Sequence, residues 1–269
     1  MTEARLTEIT VYPVKSAGGI AVQEREVEAR GLAGDRRWMV VGPDGGFLTQ
    51  RDWPRLALIS TALEPDALRL DAPGCAPLRV PRPPKGERLT VRVWRSICEA
   101  VCAGAEADAW LSAFLEMPCR LVYMPDETRR TVSPDFAAGE GIVSFADGFP
   151  LLLIGEASLT DLNSRLADPV PMNRFRPNLV VTGAAPYAED DWAQVRIGEV
   201  LFHVVKPCDR CAMTTVEQAT GEKHGPEPLQ TLAGYRRAES GKVLFGQNLI
   251  PAAPGMVRVG DHVEVVAGR

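Results

Sequence analysis

The sequence predicts a mainly β protein with some helix, an α+β chain built as two packed, barrel-like domains. Three observations carry that prediction. Short apolar runs cut by Gly, Pro and Asp clusters fill the first half, few segments repeat apolar residues at helical spacing, and the last third returns to strand-like runs. A chain of 269 residues has the length for two domains of ordinary size, each with a core of its own.

In the first half the expected strands are Leu6–Tyr12, Trp38–Val41, Leu56–Thr61, Leu68–Leu70, Leu89–Trp94 and Ile97–Val101. The stretch APGCAPLRVPRPPKGER, residues 72–88, carries prolines that break a central ladder, so it reads as an exposed loop or a sheet edge. AEADAWLSAFLEM, residues 105–117, spaces Ala107, Trp110, Leu111, Phe114 and Leu115 along one helical face, and Pro118 ends that helix. A strand, RLVYM, and a polar loop, PDETRRTVSPDFAAGEG, follow. A boundary near Val122 divides the chain into domains 1–122 and 123–269. In the second, Leu151–Ile154 reads as a buried strand, and Ser158 with Asp161 as the start of a helix, SLTDLNSRL. Leu179–Thr182, Val195–Val205, Lys242–Ile250 and Val257–Val266 supply strands, with Ile197-Gly198-Glu199-Val200 and Val259-Gly260-Asp261-His262 as hairpin turns. LQTLAGYRR, residues 229–237, is a short helix between them.

Composition narrows the function classes. A hydrophobic share of 45% with 24% charged residues is ordinary for a globular protein, and no apolar stretch approaches the roughly 20 residues of a membrane span. MTEARLTEITVYPV has no basic region followed by an apolar core, so no secretory signal is read and the expected location is cytoplasmic, with no membrane partner. A net charge of −5 argues against a general nucleic-acid binder. Arg nevertheless far outnumbers Lys, and its planar fork suits phosphate oxygens, although genome composition produces the same bias. Six cysteines, at 75, 98, 102, 119, 208 and 211, are too sparse for a disulfide framework and read as thiols or ligands.

Two of them lie three positions apart in KPCDRCAMTTVEQATGE, residues 206–222. The strand ending in His203-Val204-Val205 is expected to stop at Lys206-Pro207, leaving Cys208 and Cys211 on a constrained turn, with Lys206 and Arg210 favouring thiolate. Structural zinc wants four protein ligands, and no second CxxC is present. A thioredoxin-like pair belongs at a helix N-terminus, whereas Ala-Met-Thr-Thr-Val-Glu reads as extended. What remains is a single soft ligand whose neighbours serve a bulky anionic cofactor. Three further segments suit an anion: YPVKSAGG with Lys15 and Ser16, GDRRW with Arg36 and Arg37, and NRFRPN with Arg174, Arg176 and Asn178. Singly each is an ordinary turn, surface pair or strand entry; together they point to one site.

Taken in order, YPVKS, GDRRW, LIGEASLTDLNSRL, NRFRPN, YAEDDW, CDRCAMTTVEQATGE, LFGQN and VRVGD resemble the MOSC family over nearly the whole chain. The likeness is to the two-domain form, an N-terminal MOSC β-barrel followed by a pyruvate-kinase-barrel-like MOSC domain. It implies a molybdenum cofactor (molybdopterin) whose dithiolene supplies two sulfurs, and one protein cysteine on the molybdenum, which alignment on RCAMTT makes Cys211. Cys208 is then supporting. Lys15, Ser16 and Arg36 match positions that hold the cofactor from the N-terminal domain, and Arg176, Asn178, Asp209 and Arg210 match positions on the other side. Asp147, Gly148 and Phe149 match a lining loop, and Asn248 stands where some members carry an aromatic. Asp209 replaces a Ser of some relatives and is expected to offer an anion only its backbone N–H.

The implied activity is that of an oxidoreductase, removing oxygen from N-hydroxylated compounds such as hydroxylamines, amidoximes and N-hydroxylated bases. Neither a plant-type iron–sulfur spacing nor a GxGxxG after a strand is present, so an external electron donor is expected: a ferredoxin, a flavodoxin or a cytochrome-b5-like reductase system. MOSC domains also form the C-terminal part of molybdenum cofactor sulfurases. The alternative is therefore a cofactor carrier or sulfur-transfer protein without turnover, although this length has no room for a pyridoxal-phosphate domain. A catalytically silent binding module is the third reading.

Overall fold

A computed structural model of the chain describes residues 3–82, 86–136 and 141–269. Its largest element is an eight-stranded sheet in the order Ile20–Val22, Arg5–Val11, Leu179–Thr182, Leu151–Gly155, Val243–Pro251, Val200–Arg210, Trp192–Ile197, Val263–Gly268. Neighbours run antiparallel except Leu151–Gly155 and Leu179–Thr182, which are parallel and therefore need a crossover; the helix Glu156–Asn163 lies on it. Arg5–Val11 sends Leu6, Ile9 and Val11 inward, with a bulge between Leu6 and Glu8 resetting the alternation, and these three join Leu153, Phe202 and Leu249 in one core. The first two strands of the chain, Arg5–Val11 and Ile20–Val22, are thereby built into a sheet whose other six strands come from the second half. A small sheet, Gly255–Arg258, Glu24–Glu28, Gly31–Leu32, contributes Val27, Leu32 and Val257 to the same core.

The rest of the first half forms a four-stranded sheet, in the order Trp38–Val41, Arg120–Tyr123, Ser96–Cys102, Arg88–Val93, and a three-stranded one, Ser60–Glu64, Ala67–Asp71, Leu78–Pro81. All four residues of Trp38–Val41 are buried because both faces of the strand are covered. Trp38 and Val40 point to a core shared with Leu111 and Phe114 of the helix Ala105–Leu115, and Met39 and Val41 to one shared with Val91 and Phe145. That helix ends through Glu116 at φ 57°, ahead of Pro118, as its sequence foretold. In the proline-rich stretch, Leu78–Pro81 is an edge strand, as expected, while residues 83–85 lie outside the described residues, as do residues 137–140 of the polar loop. Among the described residues no helix is long and apolar enough to cross a membrane.

Several local expectations are corrected. Leu56–Thr61 is not one strand: Pro54 opens a 3-10 turn, Pro54–Leu58, and the strand starts at Ser60. The second helix begins at Glu156, and Ser158 does not cap it; its buried hydroxyl donates to Glu189 at 2.8 Å. Ile197 pairs with Val200 in a true two-residue hairpin, with Gly198 at φ 57°. Val259–His262 makes no hairpin, because Gly255–Arg258 pairs with Glu24–Glu28 while Val263–Gly268 pairs with Trp192–Ile197, so the chain there passes between sheets. The strand expected to stop at Lys206 runs on to Arg210, with its register broken between Val204 and Lys206 and again between Pro207 and Asp209. Bulges of this kind accommodate a proline inside a strand. Ala212–Thr215, read as extended, is a 3-10 turn in which the Thr214 and Thr215 hydroxyls donate to the Cys211 and Ala212 carbonyls at 3.0 and 2.8 Å.

Gly246 shows how closely the large sheet is packed. Its φ is 77°, and a Cβ there would lie 2.6 Å from Ile154 Cγ1 and 2.8 Å from the Leu153 carbonyl oxygen. Gly246→Ala is expected to cost about 2–4 kcal/mol in urea unfolding, since left-handed strain and overpacking add. A loss below about 0.5 kcal/mol, the scale of an inconsequential surface change, would contradict this packing.

Candidate active site

The two register breaks in Val200–Arg210 re-aim its last residues, and Asn248 on the facing strand pins the distortion by donating Nδ2 to the Lys206 carbonyl at 3.2 Å. Cys211 follows at the entry to the 3-10 turn, half-buried, on the wall of a cleft of about 510 Å³. Of the residues the sequence singles out for the anion site, all but Arg37 and Arg174 line this cleft. Lys15, Ser16 and Arg36 come from the first half, Asp147, Gly148, Phe149, Arg176 and Asn178 from the middle of the chain, and Asp209, Arg210, Cys211 and Asn248 from the late strands.

Arg51 ties the thiol to the opposite wall. It donates Nε to Cys211 Sγ at 3.2 Å and Nη2 to Asp147 Oδ2 at 3.2 Å, and Asp147 in turn pairs with Lys15. Burial lowers the pKa of Lys15 despite that partner. For Asp147 burial works the other way, but Lys15 and Arg51 outweigh it and hold the carboxyl well below the usual range. Arg130 fixes the same loop from behind, donating to the carbonyls of Ser144 (2.9 Å) and Asp147 (2.6 Å).

The floor of the cleft rests on Asp35, whose side chain is almost wholly enclosed. Its carboxylate accepts from the Tyr12 amide (2.8 Å), Asn178 Nδ2 (3.1 Å) and Arg36 Nη1 (2.6 Å). Asn178 Oδ1 accepts from Arg36 Nη1 at 2.9 Å and from the Leu152 amide at 3.2 Å. Arg36 and Arg176 each hold a guanidinium carbon 4.3 Å from the centroid of the Tyr12 ring. Burial lowers the pKa of Arg176 to about 10. Ser16, Arg36 and Arg176 all adopt left-handed backbone, with φ of 67°, 46° and 57°. Strain of this sort is characteristic of functional sites.

Seven basic side chains (Lys15, Arg36, Arg51, Arg176, Lys206, Arg210 and Lys242) line the cleft against two acidic ones, Asp147 and Asp209. Asp209 is itself engaged by Lys206 at 3.0 Å and Lys242 at 3.4 Å. Ser16 Oγ, Arg176 Nη2 and Arg210 Nε are buried without a hydrogen-bond partner. A positive concavity with uncommitted donors is suited to a multiply charged anion.

Only one member of each arginine pair serves the cleft. Arg37 turns to the Met124 carbonyl (2.6 Å) and Asp126, and Arg174 is buried against the Thr214 carbonyl (2.8 Å) and Glu217 (2.8 Å). Lys206 does not attend a sulfur, being paired with Asp209; Arg210 does, donating Nη1 to Cys208 Sγ at 3.1 Å. Sequence reasoning missed Arg51 and Trp94, since LTQRDW and VWRS carry no spacing that betrays a site; only the fold brings residue 51 to residue 211.

Comparison with known proteins agrees with this architecture. Residues 3–118 match the model of the MOSC N-terminal beta barrel domain and residues 140–264 that of the MOSC domain. The mitochondrial amidoxime-reducing component 1 of Mus musculus is 39% identical over 96% of this chain and 81% of its own length, and that of Homo sapiens 36% identical over 96% and 82%. The molybdenum cofactor sulfurase of Solanum lycopersicum is 34% identical over 96% of this chain, which spans 35% of that protein. With both domain models matched in order along its length, the chain belongs to the MOSC family in its two-domain form.

Proposed function

We propose that this protein holds a molybdenum cofactor in the cleft and reduces N-hydroxylated compounds, with electrons from an external donor of ferredoxin, flavodoxin or cytochrome-b5-like type. The observation that carries the reading is the meeting, in one positive cleft, of a half-buried thiol with buried donors that have no protein partner. Among the described residues no three His, Cys, Asp or Glu side chains gather to hold a bare ion, so the donor set suits a metal that brings ligands of its own. Relatives named amidoxime-reducing components over nearly all of this chain support the same reading.

When bound, the cofactor supplies a two-electron metal centre suited to taking oxygen from an N–O group. The chain's residues bind and orient. Cys211 offers the soft ligand, and Arg51 holds its sulfur through an N–H donor while anchored at Asp147. Ser16, Arg176 and Arg210 offer the free donors that suit a phosphate. The Arg36 fork is already committed to Asp35 and Asn178, so it contributes charge and shape. Lys206 and Lys242 neutralise Asp209, reducing the repulsion its carboxylate presents to an anion.

Cys211→Ala is expected to abolish reduction of benzamidoxime or hydroxylamine by protein made in a cofactor-competent host, while the thermal midpoint moves little. Retained turnover would remove Cys211 from the metal. Stable molybdenum content without turnover in the unsubstituted protein would instead favour the carrier reading.

Arg176→Ala removes an uncommitted buried donor and a charge, so the molybdenum-to-protein ratio after extended dialysis is expected to fall about tenfold or more. An unchanged ratio would reject its role in holding an anion.

A further inference from the structure

The hairpin joining Arg88–Val93 to Ser96–Cys102 pairs Val93 directly with Ser96, so Trp94 and Arg95 alone make the turn. Two-residue turns of this kind call for left-handed backbone, which is why Asn and Gly dominate them. Trp94 takes that conformation, at φ 56°, where a bulky side chain is disfavoured. The residue is 49% exposed, the one aromatic in the set of exposed large apolar residues among those described.

The ring has a defined setting. The Arg51 guanidinium carbon lies 4.8 Å from its centroid, and Phe47 stands edge-on with centroids 5.0 Å apart. Arg51 is the residue that donates to Cys211 Sγ, so the indole forms part of the cleft wall one side chain away from the thiol. The turn type accounts for the left-handed backbone but not for a Trp at that position, and its half-exposed ring lines the cleft. An outlier of this sort argues for function.

Resting on the reductase reading above, we infer that Trp94 is the specificity-determining wall of the site. It favours flat, π-bearing N-hydroxylated substrates, such as aryl amidoximes and N-hydroxylated bases, over hydroxylamine and small alkyl hydroxylamines. A planar ring gains by offset stacking on the exposed indole surface, whereas a small saturated substrate has no π face to offer.

The test compares Trp94→Ala and Trp94→Phe with the unsubstituted, cofactor-loaded protein. The ratio of kcat/KM for benzamidoxime to that for hydroxylamine is expected to fall about 5- to 100-fold in Trp94→Ala, mainly through KM, and to be largely kept in Trp94→Phe. An unchanged ratio in Trp94→Ala, whatever the absolute rates, overturns the inference. Calorimetric titration of benzamidoxime without reductant is the second measurement, and it needs no turnover. A comparable loss of affinity in Trp94→Ala supports the stacking wall even if no N-hydroxylated compound is ever reduced, an outcome that would sink the reductase reading alone. Equal affinities reject the wall while leaving that reading untouched.

Discussion

The cleft depends on one buried carboxylate. Asp35 joins the end of the first strand, through the Tyr12 amide, to Asn178 in the second half and to its own neighbour Arg36. A buried charge is tolerated only when paired and hydrogen-bonded, and this one receives three donors. The geometry propagates from there. The Arg36 amide donates to the Tyr12 carbonyl at 2.7 Å, the Phe145 amide to the Arg36 carbonyl at 2.9 Å, and the Asn178 amide to the Leu152 carbonyl at 2.8 Å. Strands from both halves are thus locked around a single point, with Arg36 and Arg176 held against Tyr12 beside it. Breaking such a pair from one side costs about 3–5 kcal/mol, enough to loosen the whole floor.

A consequence is electrostatic preorganisation. A chain of net charge −5 collects seven basic side chains against two acidic ones in one concavity, so its local field opposes its overall field. Much of that charge is fixed before any anion arrives. Lys15 is held by the Phe145 carbonyl at 2.9 Å, and Gln50 donates to the Ser16 carbonyl at 2.7 Å while exchanging hydrogen bonds with Gln218. The rotamer entropy of these long side chains is therefore largely lost on folding rather than on binding.

What could be read from the sequence follows from what is local. YPVKS, GDRRW and NRFRPN carried their residues into the cleft because each sits at a strand end, where the motif and its geometry are the same few residues. The fate of each arginine was not legible: Arg36 and Arg37 are adjacent, yet one faces the cleft and the other the Met124 carbonyl. Pro207 looked like a strand terminator, but two register shifts absorb it. Ala212–Thr215 reads as extended from the sequence, but both threonine hydroxyls bond back into a 3-10 turn. The Arg51–Cys211 contact spans 160 positions of sequence and exists only once both halves have packed. Most of the longer strands were legible because apolar patterning is averaged over whole segments, whereas short strands such as Ile20–Val22 and Gly31–Leu32, caps, bulges and side-chain partners are decided residue by residue.

The claim that this buried scaffold presents an anion seat is tested most directly by a crystal structure of the cofactor-loaded protein. Phosphate oxygens are expected to accept from Ser16 Oγ and Arg176 Nη2, with Asp35, Arg36 and Asn178 keeping their hydrogen bonds to one another. A phosphate held elsewhere, with those two donors still lacking a partner, would contradict it.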